Sequence, residues 1–372
     1  MIPVNAPFIP EKSKELVMRA LGDGWISSAG PYLQDFENKF AAYIGVKHAI
    51  AVNTGTAALH VALLSLGIKE GDEVIVPSFT MAASWMAVMY TGAKPIFVDV
   101  TKDTFTIDPE LIESKITKNT KAIMPVHIFG HPANMDSIMK LVKKHNLYVI
   151  EDAAEAHGAT YKGVKVGGIG DINAFSFYAN KIVTTGEGGM VTTNDNNLAK
   201  QARRYRDLCH SSKRFIHDDL GYNYRMTSLQ AALGIGELSE IDKFIEIKTK
   251  MATRYFAQLK DIPGLTLPIT KEWATNVYWM YGVVVDAKIF GMSKDDLRAK
   301  LLENGVDTRD FFYAPDVQPV LIDRGLTGGH YPVTTNLSNN GFYLPSGLAL
   351  TPAQIDQVCE TIHSIYAQVT RS

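Results

Sequence analysis

The sequence predicts an α/β fold: a mostly parallel sheet covered by helices on both faces, followed by a smaller C-terminal α+β unit. Three observations predict it. Between residues 48 and 152, short apolar runs alternate with helical patterns. After residue 170 the runs frame a glycine-rich turn, and from about Tyr278 a second, smaller pattern begins. The 372 residues, 46% of them apolar, are enough for two or three domains at roughly 100–200 residues each. We expect a large domain over 1–250 and a small one over 251–372.

In chain order, His48–Val52 reads as a buried strand and Thr56–Leu66 as the helix after it. Glu73–Val76 is a strand closed by Pro77, and Pro95–Asp99 is another. Asp108-Pro109-Glu110 opens a helix: Asp caps it, Pro takes the first turn and Glu favours its positive end. Lys121–Pro125 and Tyr148–Asp152 are further strands with a helix between them. Ala174–Phe177 and Met190–Thr193 flank the glycine-rich turn, and Thr227 to about Lys260 reads as largely helical. Ser293 caps a helix that stops at Gly305, and Thr351-Pro352 starts the final one.

Composition excludes several function classes. Lys plus Arg number 37 against 39 Asp plus Glu, a net charge of −2, so no basic field attracts nucleic acid. Lys143-Lys144-His145 and Arg203-Arg204 are short and read as solvated helix faces. Cys209 and Cys359 form no C-x-x-C pair and no histidine falls in an H-E-x-x-H pattern, so neither a metal site nor a disulfide scaffold is expected. The N-terminus lacks the basic and apolar regions of a signal peptide. A membrane helix needs about 20 nearly unbroken apolar residues. The most apolar window, Val74–Val98, is broken by Pro77, Gly92, Lys94 and Pro95. The expectation is a cytoplasmic globular protein with no membrane partner.

Ligands of open α/β sheets bind beyond the carboxyl ends of the strands, and three such ends carry chemistry. At Asn53–Leu59 a strand runs through small residues into a helix, presenting backbone N–H groups and hydroxyls to a single phosphate. The same stretch also reads as an ordinary capped helix start. Asp152 ends a buried strand, where a carboxylate is costly unless paired, and a protonated pyridine nitrogen would satisfy it. It reads equally as a cap of the next turn. Lys181 follows the apolar strand end Phe175-Ser176-Phe177 and precedes Thr184–Gly189. An amine held among apolar groups loses its charge readily and attacks carbonyls, and the glycines let backbone approach a ligand. Taken alone, Lys181 also reads as a surface lysine in a loop.

Anion cradle, strand-end Asp and strand-end Lys together are more specific than any one of them. The combination resembles the fold-type-I pyridoxal-phosphate enzymes and, in its wording, the nucleotide-sugar aminotransferases of the DegT family. The stretches that carry the resemblance are Gly24–Ser28, Gly71–Ser78, Met124–His127, Glu151–Gly158, Asn180–Gly189 and Gly221–Met226. Ile150–Glu155 and Asn180–Met190 look most like the perosamine-forming branch. The resemblance implies a seven-stranded sheet sandwiched by helices, pyridoxal 5'-phosphate as cofactor, and pyridoxamine phosphate between two half-reactions. L-glutamate would give its amino group, and C4 of a nucleotide-linked 4-keto-6-deoxy sugar would receive it, with GDP-4-keto-6-deoxy-D-mannose the substrate of that branch.

Residue by residue, it implies that Lys181 bonds the cofactor and shuttles the proton, Asp152 pairs with the pyridinium nitrogen, and Gly55, Thr56 and Ser176 bind the phosphate. Glu155 would stand near the ring, where many relatives carry Gln. Met81 would cover the ring where many carry an aromatic residue. Asn223 would reach the phosphate of the neighbouring subunit, making the protein a homodimer with shared sites; read alone it is a turn residue. Trp85, one helical turn after Met81, reads as core. Trp25, Ser27, Ser28 and His157 are candidates for the sugar, and Arg309 and His330 for the diphosphate or nucleotide; each also reads as a surface or structural residue. Other readings are a UDP- or dTDP-linked keto sugar as substrate, a dehydratase of the family (whose relatives carry His at the lysine position), a sulfur amino-acid lyase, and a non-catalytic regulator, which should show a damaged cradle, Asp or Lys.

Overall fold

The structure, a computed structural model, describes residues 1–213 and 215–370. Its strands are β1 (His48–Val52), β2 (Glu73–Pro77), β3 (Lys94–Val98), β4 (Thr120–Ile123) and β5 (Tyr148–Asp152), then the two-residue β6 (Thr160–Tyr161) and β7 (Val164–Lys165), then β8 (Ile172–Ser176) and β9 (Gly189–Thr193). Seven of them form one sheet in the order β1-β9-β8-β5-β4-β2-β3. From β8 to β3 every neighbour is parallel, while β9 runs antiparallel to both β1 and β8. Strand residues alternate between two cores, as a pleated sheet demands. Ala174 faces the core that holds Ala58, Leu63 and Trp85, whereas Phe175 joins Phe36 and Phe40 on the other face. Sequence and structure agree on these strands to within two residues, because each is an apolar run closed by a helix-starting or turn residue.

The C-terminal part holds β10 (Leu265–Thr266), β11 (Ala274–Thr275), β12 (Tyr281–Val285), β13 (Arg309–Asp310) and β14 (Gly341–Leu344). Four of these pair antiparallel in the order β10-β12-β14-β13, and β11 instead joins β6 and β7 in a small third sheet. The helix expected over Thr227–Lys260 is two helices, Ser228–Leu238 and Ile241–Leu259, broken at Ser239-Glu240. The break lets the second helix change cores. Ile241 and Phe244 lie in the core of the large sheet, while Met251, Tyr255 and Leu259 lie in that of the small one. Helix starts follow their caps: Thr227 with Gln230, and Thr351 with Gln354, form complete capping boxes. Among the described residues, no helix is long and apolar enough to cross a membrane, and no cluster of three or more metal-ligating side chains occurs.

Candidate active site

The carboxyl ends of β1, β5 and β8 and the start of β9 converge at one edge of the sheet, because β9 alone is reversed. A Cβ on Gly55 would lie 2.6 Å from that of Ser176, and one on Gly189 would lie 2.3 Å from the Thr54 carbonyl oxygen. Glycine is therefore what allows these segments to meet. Thr54 caps the Gly55–Ser65 helix by accepting from the Ala57 N–H. The N–H groups of Gly55 and Thr56 belong to the first turn, which has no internal acceptors. Ser176 Oγ accepts from the Tyr178 N–H at 3.3 Å and keeps its own proton to donate. This concave set suits an anion at a helix N-terminus.

Asp152 sits beyond the cradle, buried at the end of β5. Ser84 donates to its carboxylate at 2.7 Å, the Ala154 N–H donates at 3.1 Å, and Ser84 is in turn tied to Thr80. Burial pushes the Asp152 carboxyl above the usual range, against the pull of Ser84, Ala154 and Lys181. A protonated heterocyclic nitrogen is the partner this carboxylate lacks.

Lys181 completes the cluster, its side chain only 10% exposed. Its Nζ lies 3.7 Å from Glu155 Oε1 and 3.6 Å from the centroid of the Trp279 ring. Burial lowers its pKa, opposed by the carboxylates of Glu155 and Asp152, so the neutral, nucleophilic amine comes within easier reach. Glu155 accepts from the Phe129 N–H at 2.8 Å and is pushed up to about 7, by burial first and despite Lys181. Phe129 presents that N–H from a left-handed backbone, φ +53°, a conformation a bulky residue adopts only when its surroundings impose it. A phosphate cradle, a buried carboxylate and a neutralisable lysine fit a phosphorylated pyridine aldehyde.

A groove of about 530 Å³ opens beside the cluster, between Met81 and Trp85 on one wall and the segment Thr308–Tyr313 on the other. Met81, 53% exposed, and Arg309 both line it. Asp310 is taken by Lys294 at 2.8 Å and by Arg298 at 2.5 Å, and among the described residues Arg309 has no carboxylate partner. Tyr343 pairs with Arg309 across β13 and β14. Its hydroxyl is pushed up to about 12, mainly by burial, with Glu155 adding to the shift and Arg309 opposing it. A cavity of about 600 Å³ elsewhere has Lys102 as its only charged lining residue and holds no comparable chemistry.

The other expected residues are placed unevenly. Trp85 is buried against Phe97. Trp25, 40% exposed, covers Gly30, and the loop bearing Ser27 and Ser28 is pinned where the Ser228 N–H donates to the Ser27 carbonyl at 2.7 Å. The helix beginning at Ser228 reaches the glycine-rich turn through Gln230, which donates to the Glu187 carbonyl. Asn223 is exposed, and the next carbonyl, of Tyr224, accepts from the Asn53 N–H at the cradle. His330 is exposed. His157 departs from expectation. It is fully buried between Phe175 and Phe177, and burial holds it down to about 3. The glycine-like bend after β5, at Gly158 with φ +84°, turns the chain back into the core. Ser84, Trp279 and Tyr343 were not anticipated. Ser84 stands on the helix that Met81 begins, but Trp279 comes from the bend just before β12 and Tyr343 from β14, and neither stretch carries a spacing signal.

The chain matches the model of the DegT/DnrJ/EryC1/StrS aminotransferase family over residues 7–363. It is 43% identical to a GDP-perosamine synthase of Escherichia coli O157:H7 over 98% of this chain and 99% of that one. It is 40% identical to a GDP-perosamine synthase of Caulobacter vibrioides over 98% of each chain. Among solved structures, the pyridoxal-phosphate form of Spr1654 from Streptococcus pneumoniae, described as a sugar aminotransferase, superposes with a TM-score of 0.93 at 26% identity, covering 99% of both chains.

Proposed function

The chain belongs to the DegT/DnrJ/EryC1/StrS family of pyridoxal-phosphate-dependent sugar aminotransferases, and we propose that it moves the amino group of L-glutamate to C4 of GDP-4-keto-6-deoxy-D-mannose, giving GDP-perosamine. One observation carries the transfer chemistry: the Lys181 amine is buried between Glu155 and the Trp279 ring, with the Asp152 carboxylate close enough to act on its charge. The choice of sugar and nucleotide is supported by the likeness to GDP-perosamine synthases.

When bound, pyridoxal phosphate supplies a carbonyl that captures amines and a cationic ring that accepts the electron pair of a broken C–H bond. In this reading the N–H groups of Gly55 and Thr56 and the Ser176 hydroxyl hold its phosphate, Asp152 keeps its ring nitrogen protonated, and Met81 covers the ring. Lys181 Nζ removes a proton from the donor's α-carbon in the first half-reaction and delivers one to C4 of the sugar in the second. Glutamate leaves as 2-oxoglutarate before the sugar enters, which is ping-pong kinetics. Glu155 exchanges a proton near neutrality beside the amine. Arg309, without a carboxylate of its own, suits the diphosphate.

The exposed Trp25, Ile26 and Met81, with Asn223 beside the cradle, fit a homodimer in which Asn223 reaches the partner's phosphate. The division at residue 250 into a cofactor-binding and a smaller C-terminal domain is supported by the Ile241–Leu259 helix, which changes cores there. The product would serve O-antigen synthesis, made in the cytoplasm before assembly into lipopolysaccharide.

The test is a coupled assay. Glutamate should bleach the visible band of the cofactor-loaded protein, and added GDP-4-keto-6-deoxy-D-mannose should appear as the 4-amino sugar. Bleaching without product would move the assignment to UDP- or dTDP-linked keto sugars. Loss of the 3-hydroxyl without amination would make the protein a dehydratase, against the lysine at 181. No bleaching would return the regulator.

A further inference from the structure

The peptide carbonyl immediately before Lys181 is held from two directions. The Trp279 indole N–H donates to the Asn180 oxygen at 2.8 Å, and the Asn5 side-chain amide donates to the same oxygen at 3.1 Å. A carbonyl has two lone pairs, and both are engaged here. The donors stand 99 and 175 positions away in the chain. On the other side of that peptide, the Lys181 N–H donates to the Tyr178 carbonyl at 2.9 Å. The orientation of the peptide plane is thereby set, and with it the direction in which the lysine leaves the backbone.

Both donors are themselves anchored. The Trp279 carbonyl accepts from Lys248 Nζ at 2.8 Å, and the same buried ammonium donates to the Ser346 carbonyl. The segment bearing Asn5 runs along the small unit: the Ile2 N–H donates to the Gly305 carbonyl at 2.7 Å, and the Ser346 N–H donates to the Val4 carbonyl at 2.8 Å. Lys248 and the N-terminal segment therefore meet at Ser346. Beyond its hydrogen bond, the Trp279 ring covers Nζ itself, excluding water from that side and attracting the ammonium form. A lysine stem has four flexible carbons, so a productive amine requires surroundings that restrict it.

We propose that Trp279 and Asn5 are positioning residues for the Lys181 amine, through which the small C-terminal unit and the N-terminal segment together set the line along which Nζ reaches cofactor and substrate. The proposal rests on the reading of Lys181 as the transferring amine. The charged and titratable groups around that amine are Glu155 and Asp152, with neutral His157 also felt, and Lys248 and Glu237 on the wall of the small cavity behind it.

The experiment compares Asn5→Ala and Trp279→Phe in the cofactor-loaded protein. Trp279→Phe keeps an aromatic ring at this position but removes the N–H together with part of the ring surface over the amine, whereas Asn5→Ala removes a hydrogen bond without touching that surface. Each variant should lower kcat about tenfold, the equivalent of one lost hydrogen bond, with KM for both substrates within about twofold. Each should also weaken the visible circular-dichroism band of the bound cofactor at unchanged absorbance, because that band reports how the lysine holds it. The double variant should fall below either one. Unchanged kcat and dichroism in both single variants would overturn the proposal, and so would a raised KM at constant kcat or a loss of thermal stability alone. If Trp279→Phe fails to fold, Asn5→Ala decides, since Asn5 is only partly buried at the edge of the fold. Lys181→Ala is the control. Covalent attachment surviving in it would defeat the reading of Lys181, whereas wild-type kcat and dichroism in both Asn5→Ala and Trp279→Phe would defeat only the positioning role. The dichroism needs no sugar, so a wrong substrate leaves it untouched.

Discussion

Glu151 and Asp152 are neighbours on β5 and both are buried, yet they face opposite sides of the sheet and lead opposite lives. Glu151 is saturated. It accepts from the N–H groups of Gly167, Ile169 and Gly170 at 2.7–2.8 Å and from His127 Nε2 at 3.0 Å. The Ala133 N–H donates to His127 Nδ1, which leaves the ring proton on Nε2, directed at Glu151. Asp152 has two donors, feels Lys181 only as a nearby charge and not as a hydrogen-bond partner, and has a carboxyl that burial drives upward. The difference teaches that burial of a charge does not by itself mark a site; unspent bonding capacity does. Glu151 holds the 167–170 loop, whereas Asp152, Lys181 and Glu155 keep capacity for a ligand.

The comparison can be broken most severely at Lys181. Lys181→Ala should retain the fold, seen in circular dichroism and thermal melting, and reduce turnover by about 10⁴-fold or more, since it removes both the amine that bonds the cofactor and the group placed to carry the proton. Full transamination by this variant would remove the site from the molecule. Asp152→Asn should still bind the cofactor but lower kcat by about 10²–10³-fold, the usual cost of removing one preorganised charge partner. Wild-type rates would mean Asp152 is spent elsewhere, as Glu151 is.

The opposite outcome is expected next door. Glu151→Ala should destabilise the protein by about 3–5 kcal/mol in urea unfolding, because it strands three N–H groups and a buried imidazole, while the folded fraction keeps its kcat. A variant as stable as the parent but inactive would exchange the roles of the two residues.

The smallest effect sharpens the contrast through pH. The Glu155 carboxyl is raised from its ordinary 4.5 to about 7 in the folded chain. The native state therefore binds the proton more tightly than the unfolded chain. The stability this contributes is complete below pH 4.5 and is lost as pH rises to 7. In the cofactor-free protein, Glu155→Gln should flatten that slope by up to about 3 kcal/mol across the window, read from urea melts at several pH values. An unchanged slope would mean Glu155 ionises as an exposed carboxylate does.

Much of this molecule is legible in its residues. The β1, β5 and β8 runs end at Asn53, Asp152 and Ser176 because small or polar residues follow unbroken apolar strands, and the strand-end rule then brings those ends together. Local signals act over a few residues and survive into the fold: Thr54, Thr227, Ser293 and Thr351 all cap the helices they begin. His157 was illegible for the converse reason. Its neighbours along the chain are small and polar, but the neighbours that bury it, Phe175 and Phe177, arrive from a different strand.

By itself, then, the sequence determined the elements, the class of sheet and the identity of the chemical groups at the strand ends, since these depend on periodicity and on contacts between near neighbours. Only the tertiary structure decided which of two adjacent acids is free, that Trp279 covers the Lys181 amine, and that Asn5 reaches across 175 positions to the carbonyl beside it. Those outcomes depend on hydrogen bonds and desolvation between segments remote in the chain, and the pairing of remote segments leaves no local pattern in either partner.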